Sequence, residues 1–333
     1  MKGKMTWESP SNIALVKYWG KKDNQIPCNP SLSFTLSNSI TTTSCDWEVR
    51  PHSSYEFLFE GHPNEKFGSR VEKYFNSLKE ELPFLNSIFL RIDTKNSFPH
   101  SAGIASSASS FSSFALILTK LEEIIEKKTF NEDSFLKRAS HLARLGSGSA
   151  CRSLFGPACA WENELFGTTI KAHPVFNTYK DTIVVIDQGV KAVSSSQGHA
   201  LMNNHPFASN RYEMARENYK KSINFLQKGD CASLGEIMEQ EALMLHGLMM
   251  SSPTPYVLMK PSTLNVITKV QNFRKEKGIP VYFTLDAGPN VHILYPQEFE
   301  GEIEKFIKDN FGNFPIIFDK VGDGPNLKDF ELF

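Results

Sequence analysis

The chain has 333 residues, 40% of them hydrophobic and 22% charged, which suits an ordinary globular core and excludes a disordered chain. Its 36 basic and 37 acidic side chains nearly cancel. That balance removes the broad positive field of a nucleic-acid-binding protein and leaves room only for a small local anion pocket.

The N-terminal stretch MKGKMTWESPSNIALVKYWGKK has no long apolar core before a small-residue cleavage site, and no later run reaches the roughly 20 apolar residues of a membrane span. The expectation is a cytoplasmic enzyme with no membrane contact and no nucleic-acid partner. Cys28, Cys45, Cys151, Cys159 and Cys231 are odd in number, scattered and without a C-x-x-C pair, so they read as reduced thiols. Within SNIALVKYWGKKD, Lys17, Lys21 and Lys22 lie beside Tyr18 and Trp19 in a segment that looks extended and partly buried. Two readings stay open there: an ammonium turned inward, which needs a partner, or an ordinary lysine whose head reaches solvent.

From Ser31 to Arg50, Thr-rich apolar alternation predicts strands, and SYEFLFEGHPNEKF predicts a hairpin turning at Gly-His-Pro-Asn. Residues 66–81 read as a helix, and SIFLRIDTKNSFP as a strand ending at Pro99. Next comes the serine run FPHSAGIASSASSFSSFALIL, in which Phe111, Phe114, Ala115, Leu118 and Leu121 keep a helical period. A serine-rich loop between a strand and a helix either caps the helix with one hydroxyl or aims several N–H groups and hydroxyls at an anion. Ser101, Gly103, Ser106 and Ser107 together favour a phosphate.

A helix over 131–145 gives way at Gly146 and Gly148 to GSGSACRSLFG, where Ser147, Ser149 and Arg152 sit at a further helix start. Arginine there suits bidentate grip of a carboxylate or phosphate. The run DTIVVIDQG predicts a buried strand opening a second lobe, followed by helices near 208–228, 231–250 and 261–277. IPVYFTLDAGPNVHILYP then reads as strand, tight turn, strand. Asp286, at the end of the buried strand, is either a base and electrostatic anchor or a turn cap. His141 and His246 read as packing or surface histidines, no internal repeat is present, and the serine run is the single low-complexity region.

Five blocks, NIALVKYWGKKD, NPSLSFTL, FPHSAGIASSAS, GSGSACRSLFG and YFTLDAGPNVHIL, together resemble the diphosphomevalonate decarboxylase family of the GHMP kinase superfamily, in order along nearly the whole chain. The resemblance implies an α+β fold. Residues 1–180 would form a lobe like ribosomal protein S5 domain 2, carrying the ATP phosphate loop, and residues 181–333 a C-terminal GHMP α+β lobe, usually as a homodimer. It implies ATP-dependent decarboxylation of (R)-5-diphosphomevalonate to isopentenyl diphosphate, with ADP, phosphate and CO2 released.

By that resemblance Asp286 orients or deprotonates the C3 hydroxyl, Arg152 holds the C1 carboxylate, Asn12 joins their cluster, and Lys17 stabilises the transferred phosphoryl group. Tyr18, Lys21, Ser147 and Ser149 would bind the substrate's phosphate tail, while Gly103, Ser106 and Ser107 cradle ATP with its Mg2+. The family usually carries a hydroxyl pair and an arginine after the first strand of the second lobe. In GHALMNNHPFASNRYEMA the pair is missing, so Arg211 is expected to supply the charge from a displaced position. His100 also replaces a small hydroxyl residue. The alternatives are a decarboxylase of mevalonate 5-phosphate, or a kinase of the same superfamily that stops after phosphorylation. An S5-like RNA-binding module, the reading from another class, conflicts with the near-zero charge.

Overall fold

The computed structural model describes residues 1–99, 105–189 and 193–333. Gly103, Ser101 and His100, singled out from the sequence, lie outside the described residues. Among those described, no helix is long and apolar enough to cross a membrane.

Two long strands build the first lobe. β1 (Lys2–Val16) and β2 (Ser31–Val49) pair antiparallel along most of their length. The outer half of β2 alternates as its sequence predicts, with Thr41, Thr43, Cys45 and Trp47 buried. Its first half, from Ser31 to Leu36, is buried throughout because it runs between the two lobes. β3 (Ser54–Phe59) and β4 (His62–Pro63) form the predicted hairpin, but the chain turns one step earlier than expected. Glu60 and Gly61 take positive φ (54° and 77°), the pairing that suits right-twisted strands, and leave His62–Pro63 to close the ladder.

α1 (Glu65–Ser77) is capped by Asn64, whose side chain accepts from Phe67 N, and it ends four residues before the predicted 81. Leu82 precedes Pro83 and leaves the helical region, as residues before proline do. β5 (Ile88–Asn96) lies antiparallel to β2 and parallel to β3. α2 (Ser106–Ile125) and α3 (Glu132–Gly146) cover the sheet, burying Phe111, Phe114, Ala115, Leu118 and Leu121 as the period predicts. A 3-10 helix, Gly148–Leu154, carries Arg152, and β6 (Ala158–Trp161) and β7 (Thr168–Thr169) extend the sheet along the start of β2.

The second lobe opens with β8 (Lys180–Val184). α4 (Ser195–Leu201), α5 (Ala208–Lys228), α6 (Cys231–Met250) and α7 (Pro261–Lys277) follow, the last three with the predicted bounds. β9 (Tyr282–Thr284) and β10 (Val291–Tyr295) flank the Asp286 turn. α8 (Glu300–Phe311) and β11 (Ile316–Lys320) complete an antiparallel sheet of order β11-β8-β10-β9. β12 (Asn326–Leu332) then leaves that lobe and pairs with β1, so the first sheet reads β12-β1-β2-β5-β3-β4.

The lobes share a core. Ile13, Leu15 and Phe34 of the first sheet pack in one apolar cluster with Ile183 and Leu294 of the second and with Leu226 of α5. Asp319 of β11 adds a polar clip, accepting from Ser37 N, Asn38 N and Ser39 N at 3.0, 2.7 and 2.8 Å. The inner ends of β1 and β9 are thereby brought together, and the site forms where they meet.

Candidate active site

Lys17 follows the last residue of β1, and Asp286 sits in the turn after β9. Their side chains meet, Nζ to Oδ1, at 3.1 Å. Lys17 is 2% exposed and also donates to Ala14 O at 2.7 Å, so the inward reading of this lysine holds. Burial lowers its pKa, and the charge of Asp286 and its hydrogen bond partly restore it. Asp286 is one-quarter exposed and faces the cleft. Its turn is fastened by Gly288 N donating to Asp286 O at 2.7 Å, and by Asn290, whose Oδ1 accepts from Ile186 N and Asp187 N.

Arg152 lies beside this pair with an unusual set of partners. Its guanidinium donates to Ser31 Oγ (2.8 Å), Ser33 Oγ (3.2 Å) and Asn12 Oδ1 (3.2 Å). All three are neutral. Among the described residues no carboxylate ion-pairs with Arg152, although it is 2% exposed. A buried cation held only by neutral acceptors keeps its charge for an incoming anion. Asn12 orients it, and is itself fixed by donating Nδ2 to Ser149 O (3.2 Å) and Ser153 Oγ (2.8 Å).

Above this floor opens a cleft of about 850 Å3 whose lining includes Asn12, Arg152 and Asp286. Tyr18, Lys21, Ser106, Ser107, Ser147 and Ser149 line it as well, so the structure brings together all the described residues expected in the site except Lys17, which lies beneath, and Arg211. α2 starts after Ala105, in the left-handed region (φ 47°), with no side chain capping it. Among the described residues no serine sits at the N-cap of α2. The first N–H groups of a helix lack i−4 acceptors; in α2 Ala108 N is satisfied by Ala105 O at 2.7 Å, and Ala105, Ser106 and Ser107 line the cleft. Gly146 and Gly148 are steric necessities: a Cβ on Gly148 would stand 2.6 Å from Tyr18 Oη, and one on Gly146 would enter the Phe111 ring.

The serine run divides by helical face. Ser106, Ser107 and Ser110 line the cleft. Ser109 and Ser113 instead bond Thr41 (2.6 Å) and Thr43 (2.7 Å) of β2, and Ser112 bonds Ser9 of β1. Three of the six described serines from 106 to 113 thus form a hydroxyl seam between helix and sheet, and none of them belongs to the residues read as a phosphate site. Period-2 threonines in β2 facing serines at helical spacing are the sequence feature that could have shown it.

Arg211 is a correction. It is 1% exposed, absent from the cleft, and bidentate on Glu241 of α6 at 2.7 Å through each terminal nitrogen. Its charge is spent inside the protein, so it is no ligand for a substrate tail. Upstream of the stretch GHALMNNHPFASNRYEMA, Ser194, Ser195 and Ser196, at the start of α4, line the cleft. On the opposite wall stand Asn64, Lys66 and Arg70 of the α1 start, which sequence reasoning passed over. Arg70 lies 4.7 Å over the Phe111 ring, and among the described residues neither it nor Lys21 ion-pairs with a carboxylate. Lys21 donates to Gln25 at 2.8 Å, and its pKa is lowered by burial and then by the Arg70 charge, so the two cations feel one another.

His199 also lines the cleft, packed on Tyr18 and Trp19 with centroids 4.4 and 4.6 Å away, and it accepts from Gly20 N at 3.0 Å. Burial, helped by the Lys21 charge, pushes its pKa down to about 3, so the ring is neutral at ordinary pH. His141 pairs with Glu81 at the surface, and His246 is buried against the Asp286 turn. The five cysteines are free thiols. Among the described residues no three His, Cys, Asp or Glu side chains gather into a metal site.

Residues 9–172 match the family described as diphosphomevalonate decarboxylase-like N-terminal domain, and residues 182–327 the mevalonate 5-diphosphate decarboxylase C-terminal domain. The diphosphomevalonate decarboxylase of Gibberella zeae is 30% identical over 316 residues, covering 87% of this chain and 80% of its own. The mevalonate diphosphate decarboxylase of Staphylococcus aureus superposes with a TM-score of 0.89 at 28% identity, over 99% of each chain. A structure described as MDDEF in complex with MVAPP, AMPPCP and magnesium superposes at 0.87 with 29% identity, over 99% of this chain and 100% of that one. The order of the sequence blocks, the two-lobed α+β fold and these matches agree: the chain belongs to the diphosphomevalonate decarboxylase family.

Proposed function

We propose that this protein catalyses the ATP-dependent decarboxylation of (R)-5-diphosphomevalonate to isopentenyl diphosphate, releasing ADP, phosphate and CO2. The observation that carries the reading is the Lys17–Asp286 pair at 3.1 Å, beside an Arg152 that is buried with only neutral partners. A carboxylate, a buried ammonium and a reserved guanidinium around one point are what the reaction requires.

The tertiary C3 hydroxyl of the substrate is a poor leaving group, so the γ-phosphoryl group of ATP is first transferred to its oxygen. Asp286 accepts the hydroxyl proton or orients the oxygen for attack, and Lys17 offsets the negative charge moving on the phosphoryl group. The C3–O bond then breaks and phosphate leaves with the electron pair. The C1–C2 bond electrons become the C2–C3 double bond, and C1 departs as CO2. Arg152 holds the C1 carboxylate in line with that cleavage, and Asn12 keeps the guanidinium aimed.

The walls divide between the two anionic substrates. Tyr18, Lys21, Ser147, Ser149 and the Ser194–Ser196 run bind the tail, with Arg70 in the place first expected of Arg211. Ser106, Ser107 and the adjoining Gly103 segment take the ATP phosphates. The hydroxyl oxygens of Ser106, Ser107 and Ser110 are hard donors of the type that suits Mg2+. Magnesium bound to ATP would supply charge neutralisation at the phosphates. A cytoplasmic homodimer is part of the same proposal, and light scattering of the purified protein reads its oligomeric half.

The test is purified protein with ATP, Mg2+ and either mevalonate 5-diphosphate or 5-monophosphate, following ADP and CO2 together. Equal amounts of both products, with higher kcat/KM for the diphosphate, are expected. ADP without CO2 would make it a kinase, and higher kcat/KM for the monophosphate would reassign the tail site.

A further inference from the structure

Helix α6 belongs to the second lobe, yet it reaches both members of the Lys17–Asp286 pair. Glu241, fully buried on α6, accepts from Lys17 N at 2.9 Å. On the other side of that residue, Arg211 and Asn29 donate to Lys17 O at 3.1 and 3.0 Å. Arg211 is locked on Glu241, and Asn218 donates to the same carboxylate at 2.8 Å. Five residues along α6, about 7.5 Å by helix rise, His246 donates Nε2 to Asp286 O at 3.1 Å. One rigid element therefore grips the backbone of the ammonium donor and that of the carboxylate.

Stability alone does not call for this arrangement. A buried ion pair gains little over apolar residues of the same volume, because its desolvation offsets its attraction. Apolar residues, however, could satisfy neither the N–H nor the C=O of Lys17, which lies just past the end of β1. We propose that Glu241 with its partner Arg211, and His246, are positioning residues through which α6 sets the Lys17–Asp286 geometry across the two lobes. The inference rests on the functional reading above.

Three variants test it. Arg211→Met/Glu241→Met removes both charges together, so no ion is left buried alone. It should fold and keep KM for ATP and substrate within about threefold, because neither side chain lines the cleft. Its kcat should fall on the order of 10- to 100-fold, and the alkaline limb of its pH profile should move to lower pH. The sign follows from the negative charge of Glu241, which favours the protonated Lys17 amine. Titration of the Lys17 amine by NMR gives the same shift without substrate. His246→Gln, which keeps an N–H donor, should retain most turnover, while His246→Leu should lose about tenfold.

A folded double variant with wild-type kcat and an unmoved Lys17 titration overturns the proposal. So does equal turnover by His246→Gln and His246→Leu, which decides the matter if the double variant does not fold. Wild-type protein is assayed first: no CO2 there sinks the functional reading, while the Lys17 titration still judges the positioning role.

Discussion

The floor and the wall of the cleft treat their cations in opposite ways. On the floor, Lys17 and Arg211 are almost fully buried and each is matched with a carboxylate, Asp286 or Glu241. On the wall, Lys21 and Arg70 line open space and no carboxylate among the described residues pairs with them. Arg152 stands between, buried like the floor yet unmatched like the wall. The floor is a built machine part whose charges are internally balanced, whereas the wall is charged in advance for ligands that bring their own negative charge.

The largest effect should come from the floor. Asp286→Asn keeps the shape and deletes the charge, so turnover should drop by about 10²- to 10⁴-fold, the range typical of general-base loss. KM values should change little, and CO2 release is the measurement; near-normal release would remove Asp286 from the reaction. The wild-type alkaline limb has a sign too. Burial lowers the Lys17 pKa, so activity should decline at lower pH than an ordinary lysine would dictate.

Arg211→Ala separates the two regions most cleanly, because the sequence put this residue on the wall and the structure puts it in the floor. Breaking a buried pair by removing one partner costs about 3–5 kcal/mol. A large fall in the urea midpoint is therefore expected, together with a lower kcat in the folded fraction and little change in the substrate KM. Unchanged stability with a selective rise in the substrate KM would return Arg211 to the tail site.

That misplacement shows where the sequence was legible. Strand alternation, helix period and strand-end position depend on neighbours in the chain, so β2, α5, α6, α7 and the Asp286 turn read correctly. Lys17 and Arg152 could be named as candidates from their blocks. Whether a charged side chain faces a ligand or a buried partner depends on residues far away: Glu241 lies 30 positions from Arg211 and 224 from Lys17. Arg70 was invisible for the same reason, since on α1 it looks like one more solvated helix charge until Phe111 and Lys21 come to meet it. β12 was missed because its pairing partner is β1, at the other end of the chain.

The wall should respond differently from the floor. Arg70→Ala removes an exposed cation that has no carboxylate partner among the described residues and stands over the Phe111 ring, so stability should move little. Charge-assisted hydrogen bonds contribute about 1.5–3 kcal/mol, so KM for one anionic substrate should rise on the order of tenfold, with a smaller change in kcat. The wild type should also lose more affinity than the variant as salt is raised. A salt dependence identical in both proteins would mean that Arg70 faces no ligand.

The smallest expected effect is the sharpest internal control, because two serines of the same run take opposite roles. Ser107 lines the cleft in the first turn of α2, and its hydroxyl lies 3.4 Å from that of Ser147, too long for a strong bond and open to a better acceptor. Ser109, two residues on, is buried and tied to Thr41 at 2.6 Å. A neutral hydrogen bond is worth about 0.5–1.5 kcal/mol, so Ser107→Ala should raise the ATP KM several-fold and leave the denaturation midpoint alone. Ser109→Ala removes one bond of the Thr41 hydroxyl, which keeps Asn96 at 2.8 Å, so it should cost about 0.5–1.5 kcal/mol of stability and leave the ATP KM unchanged in the folded fraction. Measuring both values on both variants assigns each serine to one side of the helix. If Ser107→Ala lowers stability as Ser109→Ala does and spares ATP, the hydroxyl seam extends through the whole run, and the nucleotide phosphates must be held elsewhere.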